Sequence, residues 1–313
     1  MFDWLQLLSD PNARWILLGS MLLGIGGGVI GSFAYLRKQA LMGDALSHAA
    51  LPGVCIAFML SGSKSIGLFL IGAAVAGVAA TYGIGFMTRH SRIKPDAALA
   101  IVLSVFFGLG IVLLTRIQHS GSGNQSGLDK FLFGQAASMV RSDVITMAVI
   151  SAVLIGACAL LFKEFKLLSF DPGFARGVGY PTVLLDQLVM LLLVVAVVAG
   201  IQAVGVVLMA ALLITPAVSA RYWTEKLGVM VVLSGLFGAL SGIAGTWISA
   251  SGNNLPTGPL TVLACTAIFG ISVVAAPKRG IVAKRVIRAM ARSRLARESE
   301  TERLRTERGE QAL

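Results

Sequence analysis

Seven stretches of this chain contain no Asp, Glu, Lys or Arg: 15–36, 45–63, 65–88, 97–115, 144–162, 187–220 and 227–277. The shortest is 19 residues long. About 20 apolar residues cross a bilayer core as a helix, and only helices or closed barrels satisfy their backbone polar groups there. Charged residues are 13% of the chain, against about 25% in a soluble domain, and mean hydropathy is +0.83. The chain therefore reads as an all-α polytopic membrane protein in contact with lipid. Its 36 glycines suit close helix packing in lipid.

Spans are predicted near 15–36, 42–62, 65–88, 96–115, 142–162, 182–200, 202–220, 227–250 and 259–277. The run 183–220 exceeds one ordinary span. It divides at "AGIQAVG", residues 199–205, and the Gly200–Gly205 region can be read equally as one broken helix. The count is thus eight to nine helices. Loop Lys and Arg set orientation. With the N-terminus outside, 21 of them fall inside and five (Arg14, Lys64, Arg116, Lys130 and Arg141) outside. Residues 1–277 form the permeating domain, and 278–313 a basic cytoplasmic tail. The tail holds eleven Lys/Arg and five Glu, so +6 of the net +11. Its segment 281–297 has the spacing of an interfacial helix on an anionic leaflet, and the rest reads as disordered. This distribution argues for a membrane surface and against nucleic acid. "MFDWLQLLSDPNAR" lacks the basic start of a signal peptide, so cleavage is not expected. "LDKFLFGQAASM", 128–139, is too short and polar for a span and is expected at the outer surface or re-entering.

One apolar span carries ionisable groups. In "LMGDALSHAALPG", 41–53, Asp44 and His48 are four apart and share a helix face. A carboxylate oxygen with an imidazole nitrogen suits a divalent first-row metal. Pro52 has no N–H to close onto the carbonyl of His48, so that oxygen is freed beside the pair. Broken helices near the midplane serve ion sites in transporters for this reason. The local alternative makes Asp44 the N-cap of a helix starting at Ala45, and His48 a neutral partner of a neighbouring helix. Two side chains suit a transit site rather than a tight trap, so further ligands must come from elsewhere. Asp96 behind Pro95 reads as a helix cap or a pathway acid. Gln202, in the suspected break, reads as an interhelical hydrogen bond or a pathway group. Cys55, Cys158 and Cys265 read as buried small hydrophobes. His90 and His119 fall in loops and read as surface residues.

A second informative stretch is "KEFKLLSFDPGFARGVGYP", 163–181. Asp171 is a good N-cap, Pro172 a good first helical residue, Gly179 a C-cap, and Pro181 blocks continuation. A short, bounded cytoplasmic helix of about two turns is predicted. It is either a connector or a rigid element for a motor to push. The chain has no GxxxxGK[ST] loop, no HExxH, no GxSxG and no inner loop before the tail able to house a nucleotide-binding domain. It is read as a transporter subunit without its own ATPase site, with no permanently bound cofactor.

These blocks, in order, resemble the ABC-type manganese/zinc/iron permeases: "LRKQALMGDALSHAALPGVCIAFML", "RIKPDAALAIVLSVFFGLGIVLL", "LDKFLFGQAAS", "SFDPGFARGVGYP" and "QAVGVVLMAALLITPAVSAR". The resemblance covers about residues 13–280. "LPGVCIAF", "SGLDKFLFGQAAS" and "AAPKRG" are most similar to the manganese-type members. It implies a permease subunit in a bacterial inner membrane, paired with itself or a paralogue, with two cytoplasmic ABC ATPases and an external metal-binding protein. It implies metal contact at Asp44 and His48, with Mn2+ as cargo or, alternatively, Zn2+ or Fe2+. It makes the stretch around 171–179, with Asp171, Pro172, Phe174, Ala175, Arg176 and Gly179, the ATPase-coupling element. Two competing readings are a proton-coupled secondary metal transporter, which needs several membrane acids, and a passive channel or scaffold.

Overall fold

Helices replace each uncharged stretch in the computed structural model, which describes residues 11–62, 66–119, 139–252, 255–277, 279–285 and 290. They are Pro11–Leu36 (α1), Met42–Ser61 (α2), Ile66–His90 (α3), Pro95–His119 (α4) and Arg141–Leu160 (α5). Two short helices follow, Phe162–Phe170 (α6) and Pro172–Gly177 (α7). The rest are Thr182–Val204 (α8), Val206–Trp223 (α9), Leu227–Ser251 (α10) and Thr257–Ala275 (α11). Eight described helices (all but α6, α7 and α9) are long and apolar enough to cross a membrane. The eight are α1 to α5, α8, α10 and α11; α9 has 18 residues, about 27 Å of helix, so nine long helices pack together among the described residues. Residues 281–285 are helical, and the rest of the predicted interfacial helix lies outside the described residues, as do 120–138 and with them the predicted outer-surface segment.

Residue size decides which helices touch. α1 lies along α10, α5, α9 and α8, while α2 packs on α3 and α4 and meets α9. A methyl group on Gly24 would overlap the Gly238 carbonyl, and one on Gly238 the Gly24 carbonyl. The α1 and α10 backbones therefore approach as closely as small residues allow. Hydrogen bonds fasten the seam: Ser234 donates to the Gly28 carbonyl (2.7 Å), and Ser20 and Thr246 hydroxyls pair at 3.1 Å. Ser151 donates to the Leu22 carbonyl (2.7 Å), tying α5 to the other side of α1. The same device joins α2 to α3, where Gly53 and Gly72 face each other's carbonyls. Two-thirds of the apolar windows of α1 and α8 are buried (67% each), against 22–28% for α3, α4, α5 and α11. α1, α2 and α8, together with α9, which has no exposed residue among its described side chains, thus form the centre, and the remaining long helices the wall.

Two junctions refine the predicted elements. The 183–220 run breaks at Gly205, with φ 89 and ψ 165, a backbone region open essentially to glycine alone. The break lets α9 turn away and pack on α1 and α2. The stretch expected to hold one short helix holds two. "FKEFKLLSF" forms α6 because Phe165 and Leu168 bury one face against the core, with Phe165 edge-on to Phe33 at 5.5 Å. α7 then begins as predicted: the Asp171 carboxylate accepts from the Phe174 N–H at 2.9 Å and Pro172 opens the helix. Gly179 follows at φ 91.

The α1–α10 seam makes a direct prediction. Gly238→Val pushes a side chain into the Gly24 backbone and should cost about 1–3 kcal/mol or more. Gly27→Ala, where a methyl meets nothing within 4 Å, should be neutral. Thermal unfolding in detergent reads both, and equal midpoints for the two variants would refute the seam.

Candidate metal-transit site

α2 begins at Met42 with Leu41 at its N-cap and no side-chain cap bond. Asp44 therefore sits inside the first turn, in the favourable field of the helix N-terminus. It is not the N-cap of a helix starting at Ala45. One turn on, His48 Nε2 lies 3.5 Å from Asp44 Oδ1. That is long for a hydrogen bond, so the two groups converge without satisfying each other. His48 Nδ1 is buried and has no hydrogen-bond partner. The ring meets Phe107 of α4 edge-on, at 4.8 Å between centroids.

The surrounding helix separates this face from the packed one. Residues 45–47 and 49–55 of α2 are buried, whereas Leu41 is exposed and the Asp44 and His48 side chains are 43% and 20% exposed. The pair looks out of the chain beside α4 instead of into its core. Depth follows from Phe107, the thirteenth of the 25 residues of α4. His48 is level with the middle of a full span although it is only about 9 Å from the start of α2. α2 starts recessed, because the short turn from α1 ends within the layer bounded by α3 and α4. Pro52 lies inside α2 and is buried, and its missing N–H leaves the His48 carbonyl without a helical donor.

The other sequence candidates fall at different places. Asp96 occupies the first turn of α4 behind Pro95, exposed. It precedes Phe107 by eleven residues, about three turns, so the two share a face of α4 about 16 Å apart. Gln202 is in the last turn of α8, just before the Gly205 break, and its side chain lies outside the described residues. Cys55, seven residues after His48, keeps to the same α4-facing side but lies about 10 Å further along the helix: its thiol points to the Gly110 carbonyl of α4, 3.8 Å away, in a fully buried position. Cys158 and Cys265 are likewise buried and free. His90 stacks on Phe86 and His119 bonds the Thr115 carbonyl, both exposed. Among the described residues no three His, Cys, Asp or Glu side chains gather as a metal cage. In α7, Ala175 is buried while Phe174 and Arg176 are exposed.

Sequence reasoning passed over one connection. Arg37, counted there as a loop charge, forms an ion pair with Asp186 of α8, and the arginine side chain is 13% exposed. The signal was available, since an acid inside a predicted span is uncommon. Asp186 follows α7 closely, through a junction closed by hydrogen bonds from Tyr180 N–H to the Ala175 carbonyl (3.0 Å) and from Thr182 N–H to the Tyr180 carbonyl (2.8 Å). Arg37 opens the turn that leads to Asp44, with Gln39 N–H on the Ala34 carbonyl (2.9 Å) and Met42 N–H on the Gln39 carbonyl (3.1 Å). Phe107 had no sequence signal at all, because nothing in an apolar span marks the residue that meets a histidine on another helix.

Comparison with known proteins identifies the family. The ABC 3 transport family matches residues 9–276. The chain is 54% identical over 300 residues to the manganese transport system membrane protein MntC of Bacillus subtilis, covering 95% of this chain and 69% of that protein. It is 46% identical over 283 residues to the zinc transport system membrane protein TroC of Treponema pallidum, covering 90% and 95%. Its fold is similar to that in the structure of PsaBC from Streptococcus pneumoniae in complex with Fab, with TM-score 0.77 and 34% identity over 87% of this chain and 95% of that one. The chain belongs to the ABC 3 transport family, as a multi-pass membrane permease of an ABC transporter.

Proposed function

We propose that this permease carries a divalent transition metal across a bacterial inner membrane into the cytoplasm, with Mn2+ as the favoured cargo and Zn2+ or Fe2+ as alternatives. The observation that carries the reading is the Asp44–His48 pair: two ligand atoms 3.5 Å apart at mid-span, with the second imidazole nitrogen buried and unpartnered. Two metal–ligand bonds of about 2.1 Å at a tetrahedral angle span about 3.4 Å. One ion can therefore replace the missing contact between the two groups. The His48 carbonyl, freed by Pro52, is a further oxygen within the same turn. Oxygen and nitrogen donors without thiolates suit Mn2+, and geometry must provide its selectivity over later metals.

A site with two side-chain ligands holds an ion briefly, which is what transit requires. Because the pair faces outward from the chain, a second permease, either a copy or a paralogue, covers it and completes the coordination. Asp96, on the same face of α4, marks the cytoplasmic end of the route. The relatives named for manganese and for zinc transport support a metal cargo without choosing between the two. Family membership favours ATP drive over a proton-coupled carrier or a passive channel. Hydrolysis belongs to a cytoplasmic ABC ATPase dimer, and capture to an external metal-binding protein. The C-terminus is cytoplasmic, following the loop charge bias.

Coupling starts at α7, whose Asp171 and Pro172 fix its start and whose Phe174 and Arg176 face outward for the ATPase. The push passes through the hydrogen-bonded 178–182 junction to α8, across Asp186 to Arg37, and along the 37–41 turn to Asp44. Every joint is a contact in the chain, so displacement of α7 displaces the metal ligands.

Two outcomes test this reading. ATP-dependent uptake by the reconstituted complex, with Mn2+, Zn2+ and Fe2+ in competition, should fall at least roughly 100-fold in Asp44→Ala and in His48→Ala with membrane amounts unchanged. That scale exceeds the 10–100-fold typical of losing a group that merely supports a ligand. Normal uptake by the double variant would refute the site. Asp186→Asn should leave the ATPase turning over while lowering metal moved per ATP by roughly 5- to 150-fold, the range of a coupling energy of about 1–3 kcal/mol. A parallel loss of both activities would assign the ion pair to folding alone.

A further inference from the structure

A cavity of about 640 Å³ lies between α3 and α8, and only its mouth, at Asp96, Asp186 and the 37–42 turn, adjoins the route just described. Its deep end is where the helices touch: Gly77 sits against Val194, whose Cγ1 is 2.8 Å from the position a Cβ would occupy. From there they diverge, and the recessed 37–42 turn and the first turns of α4 complete the walls. The crevice runs from Val78 to His90 along α3, twelve residues or about 18 Å. That is close to the depth of one leaflet, half of a core about 30 Å thick.

Its lining changes along this length. The deep part is apolar, with Val78, Leu191 and Val194, and the mouth carries Lys38, Arg89, Asp96 and Asp186. Arg37 holds Asp186 in its ion pair. Neither Lys38 nor Arg89 has an ion-pair partner among the described residues, so with Asp96 the mouth keeps a net positive charge. Tyr82 and Phe86 line the opening and are 71% and 54% exposed. They continue an exposed apolar stripe, Ile71, Val75 and Val78, along α3. The crevice therefore opens sideways onto the apolar surface as well as toward its charged mouth.

Apolar walls one leaflet deep, a cationic rim and an aromatic residue between them match an amphiphile rather than a soluble anion or an ion in passage. We propose that this crevice is a binding site for one anionic glycerophospholipid. Its phosphate lies between Lys38 and Arg89 and its acyl chain runs between α3 and α8 toward Val194. The lipid braces the 37–42 turn, which also carries Arg37, beside the Arg37–Asp186 ion pair. The assignment depends on the chain spanning a membrane and not on which metal it carries.

The test uses the full chain in the assembly in which it purifies, delipidated and then given equimolar phosphatidylglycerol and phosphatidylcholine with identical chains. Native mass spectrometry counts the lipids retained. One phosphatidylglycerol per chain should survive, preferred at least about fivefold, the effect of roughly one cation at a membrane surface. Lys38→Gln with Arg89→Gln should bring the preference to unity. Val78→Trp fills the deep end at unchanged charge and should remove both lipids, so either variant decides the question if the other fails to fold. Equal retention of the two lipids by the unaltered chain overturns the proposal. So does no retained lipid, as when a second protein subunit covers the crevice, or displacement of the lipid by excess glycerol phosphate. Unchanged retention in both variants does so too.

Discussion

Hydrocarbon offers a peptide group no hydrogen-bond partner, and each unsatisfied group costs several kcal/mol there. Everything else in this chain follows from that constraint. It forces each uncharged stretch into helix, and it makes any interruption conspicuous. Among the described residues Pro52, Gly205 and Pro216 interrupt long helices, and the first two matter for α2. Pro52 releases a carbonyl in α2, and Gly205 parts α8 from α9 in a conformation that other residues avoid. Both bear on α2, one by opening its backbone and the other by letting α9 lie against its first turn, where Leu213 and Ala210 meet Gly43.

Packing divides the molecule into a frame and a lever. α1, α10 and α5 are joined by backbone-to-backbone contact and by hydroxyl bonds from Ser234, Ser20 and Ser151, contacts with little room for sliding. α2 also touches α3 closely, but its Asp44–His48 face is left half open beside Phe107. An ion pair, Arg37 with Asp186, links the turn before α2 to the helix that follows α7. The arginine is largely buried and the aspartate 32% exposed, so removing the acid would leave a largely buried cation unpaired. The pair is therefore suited to carry displacement from one element to the other.

Reading the sequence located most of the bundle, because hydropathy and the absence of charge report lipid burial directly. The α7 caps were legible too, since Asp171, Pro172 and Gly179 act through local backbone chemistry. α6 was not, because its helix depends on Phe165 and Leu168 finding Phe33 and the core. Asp44 and His48 stood out by their positions alone, yet the sequence allowed a capping role that the Met42 start of α2 removes. Cys55 keeps to the same α4-facing side, but two turns along it is buried against Gly110 and out of reach of the pair. Asp186 was visible as an acid in a span, but its partner could be found only in three dimensions.

The sequence by itself determined a multi-pass helical membrane protein, the approximate limits of its helices, an Asp–His pair on one helix face and a capped short helix. Each of these depends on spacing along one segment or on transfer from water to lipid. Tertiary structure alone decided that the motif stands level with the middle of α4, that its face is open, and that Arg37 ties it to α8. Those facts depend on how far α2 is recessed against its neighbours. That offset is set by contacts such as Gly53 with Gly72 and His48 with Phe107, between residues whose proximity no pattern in the chain encodes.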